Sequence, residues 1–325
     1  MKLIHHLNPL NIQEEKIKFF ADPTYNPQFI YAETVSQENL EYYNHDANQY
    51  LEIAQEILDR AYLHRNAEDL KMLLGPEITQ SEVTERIHQF LNLHGLDYQF
   101  EIIWSRSFMV RTSIGPNYIK LNSAATFRQD GVNSMLYHEI GTHALRRRNY
   151  EQQPWFKHKQ KKGFHEYLPT EEGLAILHSL IPLKFQLAYK SALTYIAADW
   201  SRQYAFAKVY KKLERYIPNQ EARWKKTLRL KRGLQDTSQP GGFSKDAVYF
   251  QGLVQVWHWL NRHDFNPTLL YFGKVSYQDV ERAFSLNPTF KPLLPSFYRV
   301  DHAKYAQTLR QIGKENRLDQ LKIKL

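Results

Sequence analysis

Apolar residues at Leu51, Ala54, Leu58, Ala61 and Tyr62 recur at helical spacing. Thr79 followed three residues later by Glu82 has the form of a capping box opening a helix that Gly95 ends. Residues 1–95 therefore read as a helical N-terminal part. After Gly95 the texture changes: in YQFEIIWSRSFMVRTSIGPNYIKLN, residues 98–122, β-branched and aromatic residues alternate around a turn at Gly115-Pro116, which predicts two or three strands in a small sheet. Asp130 and Gly131 precede a helical stretch from about Val132 to Arg148, with Val132, Leu136, Ile140 and Ala144 on one stripe. A second helix is expected from near Thr170, including Leu174, Ala175 and Leu177. Residues 183–232 read as long basic and aromatic helices, TSQPGG at 237–242 is the clearest loop, and the polar stretch from Asp301 reads as helical.

A length of 325 residues with 42% hydrophobic content suffices for a full core, in one large domain or two lobes. The absence of cysteine removes thiol nucleophiles, disulfides, iron-sulfur clusters and cysteine-ligated zinc together, so any metal must rest on His, Asp and Glu. The start of the chain lacks a signal-peptide core, and no run of about 18 apolar residues occurs, so the expected location is cytoplasmic, with no membrane partner. The net charge of +9 is uneven: residues 144–163 hold seven Lys/Arg against one Glu, and 208–232 hold ten against two. Such windows either face an acidic partner, a carboxylate-rich peptide or a nucleic acid, or form solvated helical faces.

The string Tyr137-His138-Glu139-Ile140-Gly141-Thr142-His143, followed 29 residues after His143 by Glu172, carries the chemistry. Two imidazoles from one helix and a carboxylate from a later one are a ligand set for one Zn2+ per chain, with a fourth position left for water. Glu139 stays outside the ligand set as general base. The two His are five residues apart, however, and on a regular α-helix that separates them by roughly 140°, against roughly 40° for residues four apart. A π-bulge at Gly141 would restore a common face, so a local helix distortion is predicted. Gly173 beside the carboxylate lets another backbone approach closely. His165, His178, His258 and His263 have no partner at metal spacing and read as core or surface residues. The Gly-x-Ser-x-Gly, Gly-Lys-Ser/Thr and Gly-x-Gly-x-x-Gly motifs are absent.

His138 to His143, with Glu171-Glu172-Gly173-Leu174-Ala175, resembles the microtubule-associated tyrosine carboxypeptidases and their bacterial QEGLA-motif relatives. Similar pieces are Asn122 to Phe127, Arg146 to Trp155, and Lys245 to Tyr249 running into Gly252. The resemblance covers about residues 20–290 and is most specific between 120 and 180. It implies a zinc carboxypeptidase that removes a C-terminal aromatic residue, as eukaryotic members remove tyrosine from the acidic tail of α-tubulin. The expected fold is α+β, predominantly helical and zincin-like, with the small sheet next to the zinc-binding helix, and 96–325 as the catalytic region of one compact unit. Position 171 is Glu where the bacterial pattern has Gln; Glu172 matches the ligand. The chain starts almost at the catalytic region, without the long N-terminal extension of the animal microtubule-binding members, so microtubule binding is not expected.

A carboxypeptidase must hold a terminal carboxylate, for which the Arg fork is chemically best. Arg146, Arg147, Arg148, Arg202 and Lys245 are candidates, and Tyr249 is a candidate donor to the tetrahedral oxyanion. Strand Tyr118 to Asn122, just before the metal helix, offers an edge to which a peptide could add, or else is an ordinary inner strand. The alternatives are a zinc endopeptidase with a cleft open at both ends, and a non-enzymatic nucleic-acid-binding protein with a structural zinc, the less favoured partner class.

Overall fold

A computed structural model describes residues 7–42, 48–106, 111–243 and 245–322. Its contacts group into two units, Met1–Lys71 with Tyr189–Phe250, and Met72–Ala188 with Gln251–Leu325. Residues 72–95, which include the helix expected after Thr79, thus group with the His-Glu motif and not with residues 1–71. The architecture is predominantly helical with two small sheets, an α+β arrangement, and among the described residues no helix is long and apolar enough to cross a membrane.

In the first unit, helix Leu51–Tyr62 buries Ile53, Ala54, Ile57, Leu58, Ala61 and Tyr62 and packs on helix Tyr189–Gln203. A second core is aromatic: Phe19, Phe29, Phe206, Tyr210, Trp224 and Leu228 cluster, with Phe19 meeting Phe206 and Tyr210 edge-on at centroid distances of 5.1 and 4.8 Å. Helix Gln220–Lys231 carries much of the second basic window, and part of that charge points inward. Arg223 is buried on Glu214 (2.9 Å) and over the Tyr210 ring. Lys231, fully buried, donates to the carbonyls of Ser201 and Gln239, at 2.9 Å each. A solvated face would show neither.

The second unit opens with β1 (Glu77–Ile78) and helix Gln80–Asn92, whose Thr79/Glu82 capping box is present in both directions. Strands β2 (Glu101–Ser105), β3 (Thr112–Ile114) and β4 (Tyr118–Asn122) form one sheet in the order β2-β4-β3, with β2 parallel to β4, Ile103 opposite Lys120, and β3 antiparallel. Residues 107–110 of the predicted strand region lie outside the described residues. The period-two burial of β4, with Ile119 and Leu121 inward, is that of a strand covering a core. Because β4 is flanked on both sides, it has no free edge, and peptide addition there is corrected to an inner-strand role.

Strand β5 (Phe127–Arg128) pairs antiparallel with β1 and runs straight into the motif helix, which is α-helical over Gln129–His138 and Leu145–Glu151. Its first turn is tied down by Gln129 N–H to the Pro76 carbonyl and Asp130 N–H to that of Leu74, both at 2.9 Å. The motif helix packs on helix Leu168–Leu180, which carries Glu172. Gly173 in turn sits where a Cβ would strike the backbone of Gly252, so the close approach read from the sequence is realised between these two glycines.

Candidate metal centre

Between its α-helical halves the motif helix is a π-helix over Glu139–Ala144, the distortion that the five-residue His spacing requires. Adding a residue to the turn brings His143 one turn above His138. Widening the turn also changes what the carbonyls meet: Thr142 Oγ1 donates to the Tyr137 carbonyl (3.0 Å), and the Tyr271 hydroxyl donates to that of Gly141 (2.5 Å). Behind them, fully buried His178 contacts Thr142 Oγ1 through Nδ1 (2.8 Å) and the Tyr305 hydroxyl through Nε2 (2.9 Å). At Gly141 a Cβ would lie 2.6 Å from the ring of Phe297, which stacks on Tyr137. The glycine therefore admits that ring as well as the bulge.

The bulge brings three ligand atoms together. His138 Nε2 is 3.1 Å from His143 Nε2, His143 Nε2 is 3.6 Å from Glu172 Oε2, and one ligand atom from each residue lies within 4.8 Å of the others. Tetrahedral zinc with bonds of about 2.0–2.1 Å holds its ligand atoms roughly 3.3–3.4 Å apart. The far nitrogen of His143 is already committed, Nδ1 meeting Glu171 Oε1 at 2.8 Å, and the His138 ring is hydrogen-bonded to the Ala175 backbone. With Nδ1 of His143 taken, its Nε2 meets that of His138 at 3.1 Å, an arrangement that needs a proton or a cation between them. Two imidazole nitrogens and a carboxylate oxygen are a donor set zinc accepts, so the residues fit the ion.

The electrostatics divide the cluster. Burial, helped by the charge of His143, depresses His138 to about 3. His143 goes the other way, because Glu172 and Glu171 outweigh its burial. Glu139 is raised above the ordinary carboxyl value, first by burial and then by the charge of Glu172, against the pull of His143 and Lys274. Glu171 is buried too, yet Lys274 (2.7 Å) and Arg146 (2.5 Å) hold its carboxyl well below the usual range. Arg146, entirely inaccessible, also donates to the carbonyls of Leu270 (2.9 Å) and Val275 (2.7 Å).

That commitment removes Arg146 from the candidates for a substrate carboxylate. Arg147 and Arg148 share Glu151, at 2.9 and 2.8 Å. Arg202, Lys245 and Tyr249 belong to the first unit, the three ligands to the second. Arg202 pairs with Asp199 at 2.6 Å, and Tyr249 hydrogen-bonds Arg229, itself paired with Asp246. Sequence reasoning missed the supporting roles of Glu171, Tyr271 and Lys274. Glu171 was visible beside the ligand, while Tyr271 and Lys274 lie about a hundred residues downstream with no local pattern to mark them.

Two imidazoles from one bulged helix, a carboxylate from the next and a further glutamate alongside make a His-His-Glu cluster that could hold a metal ion, with an additional carboxylate. The chain belongs to the microtubule-associated tyrosine carboxypeptidase family, whose family model matches residues 26–292. It is 34% identical to human and 33% identical to rat microtubule-associated tyrosine carboxypeptidase 1, in each case over 98% of this chain and 69% of the relative.

Proposed function

We propose that the chain is a zinc-dependent carboxypeptidase that releases a C-terminal aromatic residue, tyrosine before phenylalanine, from peptide or protein tails with acidic residues upstream. The supporting observation is the convergence of His138, His143 and Glu172, with Glu139 beside them, in a chain whose relatives are named tyrosine carboxypeptidases. The zincin-like reading of the fold rests on the sheet whose strand β3 packs against the π-helical turn.

His138, His143 and Glu172 would hold the ion. When bound, zinc supplies a Lewis acid for the scissile carbonyl and lowers the pKa of its water to about 7. Glu139 takes the proton of the attacking water and passes it to the leaving amine. Its burial makes it a stronger base than an exposed glutamate, which suits that exchange. Because water attacks directly, no acyl-enzyme forms. Arg147, which lies in the same unit as His138, His143 and Glu172, is assigned to the terminal carboxylate on the chemistry of its guanidinium. The setting is cytoplasmic, and tail cleavage does not require microtubule binding.

Glu139→Gln keeps the shape of the side chain but not its proton acceptor. It is expected to retain zinc and fold while lowering kcat by about 10²–10⁴-fold. Glu172→Ala, by contrast, is expected to lose zinc, as are His138→Ala and His143→Ala. Metal content measured with turnover checks the assignment: equal zinc retention in Glu139→Gln and Glu172→Ala would overturn the division into base and ligand.

A further inference from the structure

Glu171 lies next to a ligand, yet its carboxylate turns away from the ligand cluster to the far nitrogen of His143. Oε1 accepts from His143 Nδ1 at 2.8 Å and from Lys274 Nζ at 2.7 Å, while Oε2 accepts from Arg146 Nη1 at 2.5 Å. The residue is 2% exposed and Arg146 not at all. A buried carboxylate is costly unless paired, and a buried guanidinium equally so. Here two cations answer one anion. Glutamine in the same place would offer His143 the same acceptor oxygen without the charge, and would leave Arg146 and Lys274 facing each other uncompensated close to the metal position.

Building on the zinc reading above, we propose that Glu171 is a positioning residue whose negative charge, and not only its hydrogen bond, sets the zinc affinity of His143, with Lys274 as an adjustable counter-charge. The hydrogen bond to Nδ1 fixes the tautomer that leaves Nε2 free for the ion, and a carboxylate partner makes that nitrogen a better donor than a neutral amide would. Arg146 is the fixed part of the arrangement, locked by its bonds to the Leu270 and Val275 carbonyls. Lys274 is the variable part: its side chain is 19% exposed, and its charge acts against the cation to be bound.

The test is zinc affinity, measured by competition with a chromophoric chelator on purified, metal-stripped protein, with the melting temperature of the metal-free form recorded alongside. E171Q is expected to bind zinc 10- to 100-fold more weakly than the wild type, the range seen when a partner of a metal-bound His is lost. Adding K274M to E171Q removes the surplus cation and is expected to recover most of that loss. K274M alone is expected to bind at least as tightly as the wild type. If the role is only geometric, E171Q retains wild-type affinity, and this result overturns the proposal; so does tenfold weaker binding by K274M, whether or not E171Q folds. A wild-type protein that takes up no zinc would instead overturn the zinc reading itself, so the two failures are separable.

Discussion

His178 shows how one buried side chain writes itself into the pH dependence of the molecule. It is enclosed by Thr142, Tyr305, Phe297 and Tyr271, and burial, with the charge of Arg146 adding to it, depresses its pKa to about 3. In the unfolded chain the ring titrates near 6.5. Between those values the unfolded state binds more protons than the folded one, so stability rises with pH and is lost as pH falls from about 6.5 toward 3. The slope is about 1.4 kcal/mol per pH unit from this group. Replacing it by Gln is expected to remove about 2 kcal/mol from the destabilisation of the zinc-free protein between pH 7 and 5. Urea unfolding at the two pH values measures this, and an unchanged difference would contradict it. At this scale the sequence was most legible for His138, His143 and Glu172, which are marked by type and spacing and which the fold brings together. It was least legible for Lys274 and Tyr271, whose place beside the site is set by tertiary folding.

At the scale of the element, the motif helix was predicted with its distortion, because a five-residue His spacing and a regular helix cannot both serve one ion. What holds the distortion open was not predictable, since its hydroxyl donors come from Thr142 within the turn and Tyr271 far along the chain. Tyr271→Phe leaves the Gly141 carbonyl without that donor in a buried setting. It is expected to cost about 1–3 kcal/mol of stability, and to weaken zinc binding as the π turn relaxes. Calorimetry of the metal-free and zinc-loaded variant checks both parts: wild-type melting temperatures in the two forms would remove Tyr271 from the account. Gly173→Ala tests the helix crossing, where an added methyl meets the backbone of Gly252. A loss of at least about 1–3 kcal/mol is expected. Strand β4 was read correctly in place and extent, but its position between β2 and β3 depends on pairing partners that a single strand's residues do not encode.

The whole molecule holds two contact units, with the chain passing between them after Lys71, Ala188 and Phe250. Helical texture was legible up to about residue 232 and again after Asp301, whereas helix Val248–Arg262 went unread, as did this interleaving, because it is a property of long-range contacts. Part of the charge in the basic windows turns inward on folding, where Arg146, Arg223 and Lys231 spend theirs on buried partners; under the proposed function, other cations of the window at 144–163 would meet an acidic tail. If they do so, raising salt from low to several hundred millimolar should lower kcat/KM for acidic peptides more than for neutral ones, as the screening length shortens to a few ångströms. Equal sensitivity would assign the windows to solvation alone.

Under the proposed function, a zinc ion held by His138, His143 and Glu172 serves cleavage at a free C-terminus. Mass spectrometry of zinc-loaded protein acting on matched peptides ending in Glu-Glu-Tyr, with the terminal carboxylate free or amidated, tests it most directly. One tyrosine is expected to be lost from the free peptide, none from the amidated one, and none from either with the Glu139→Gln variant. Internal cleavage, or equal cleavage of the amidated peptide, would contradict it.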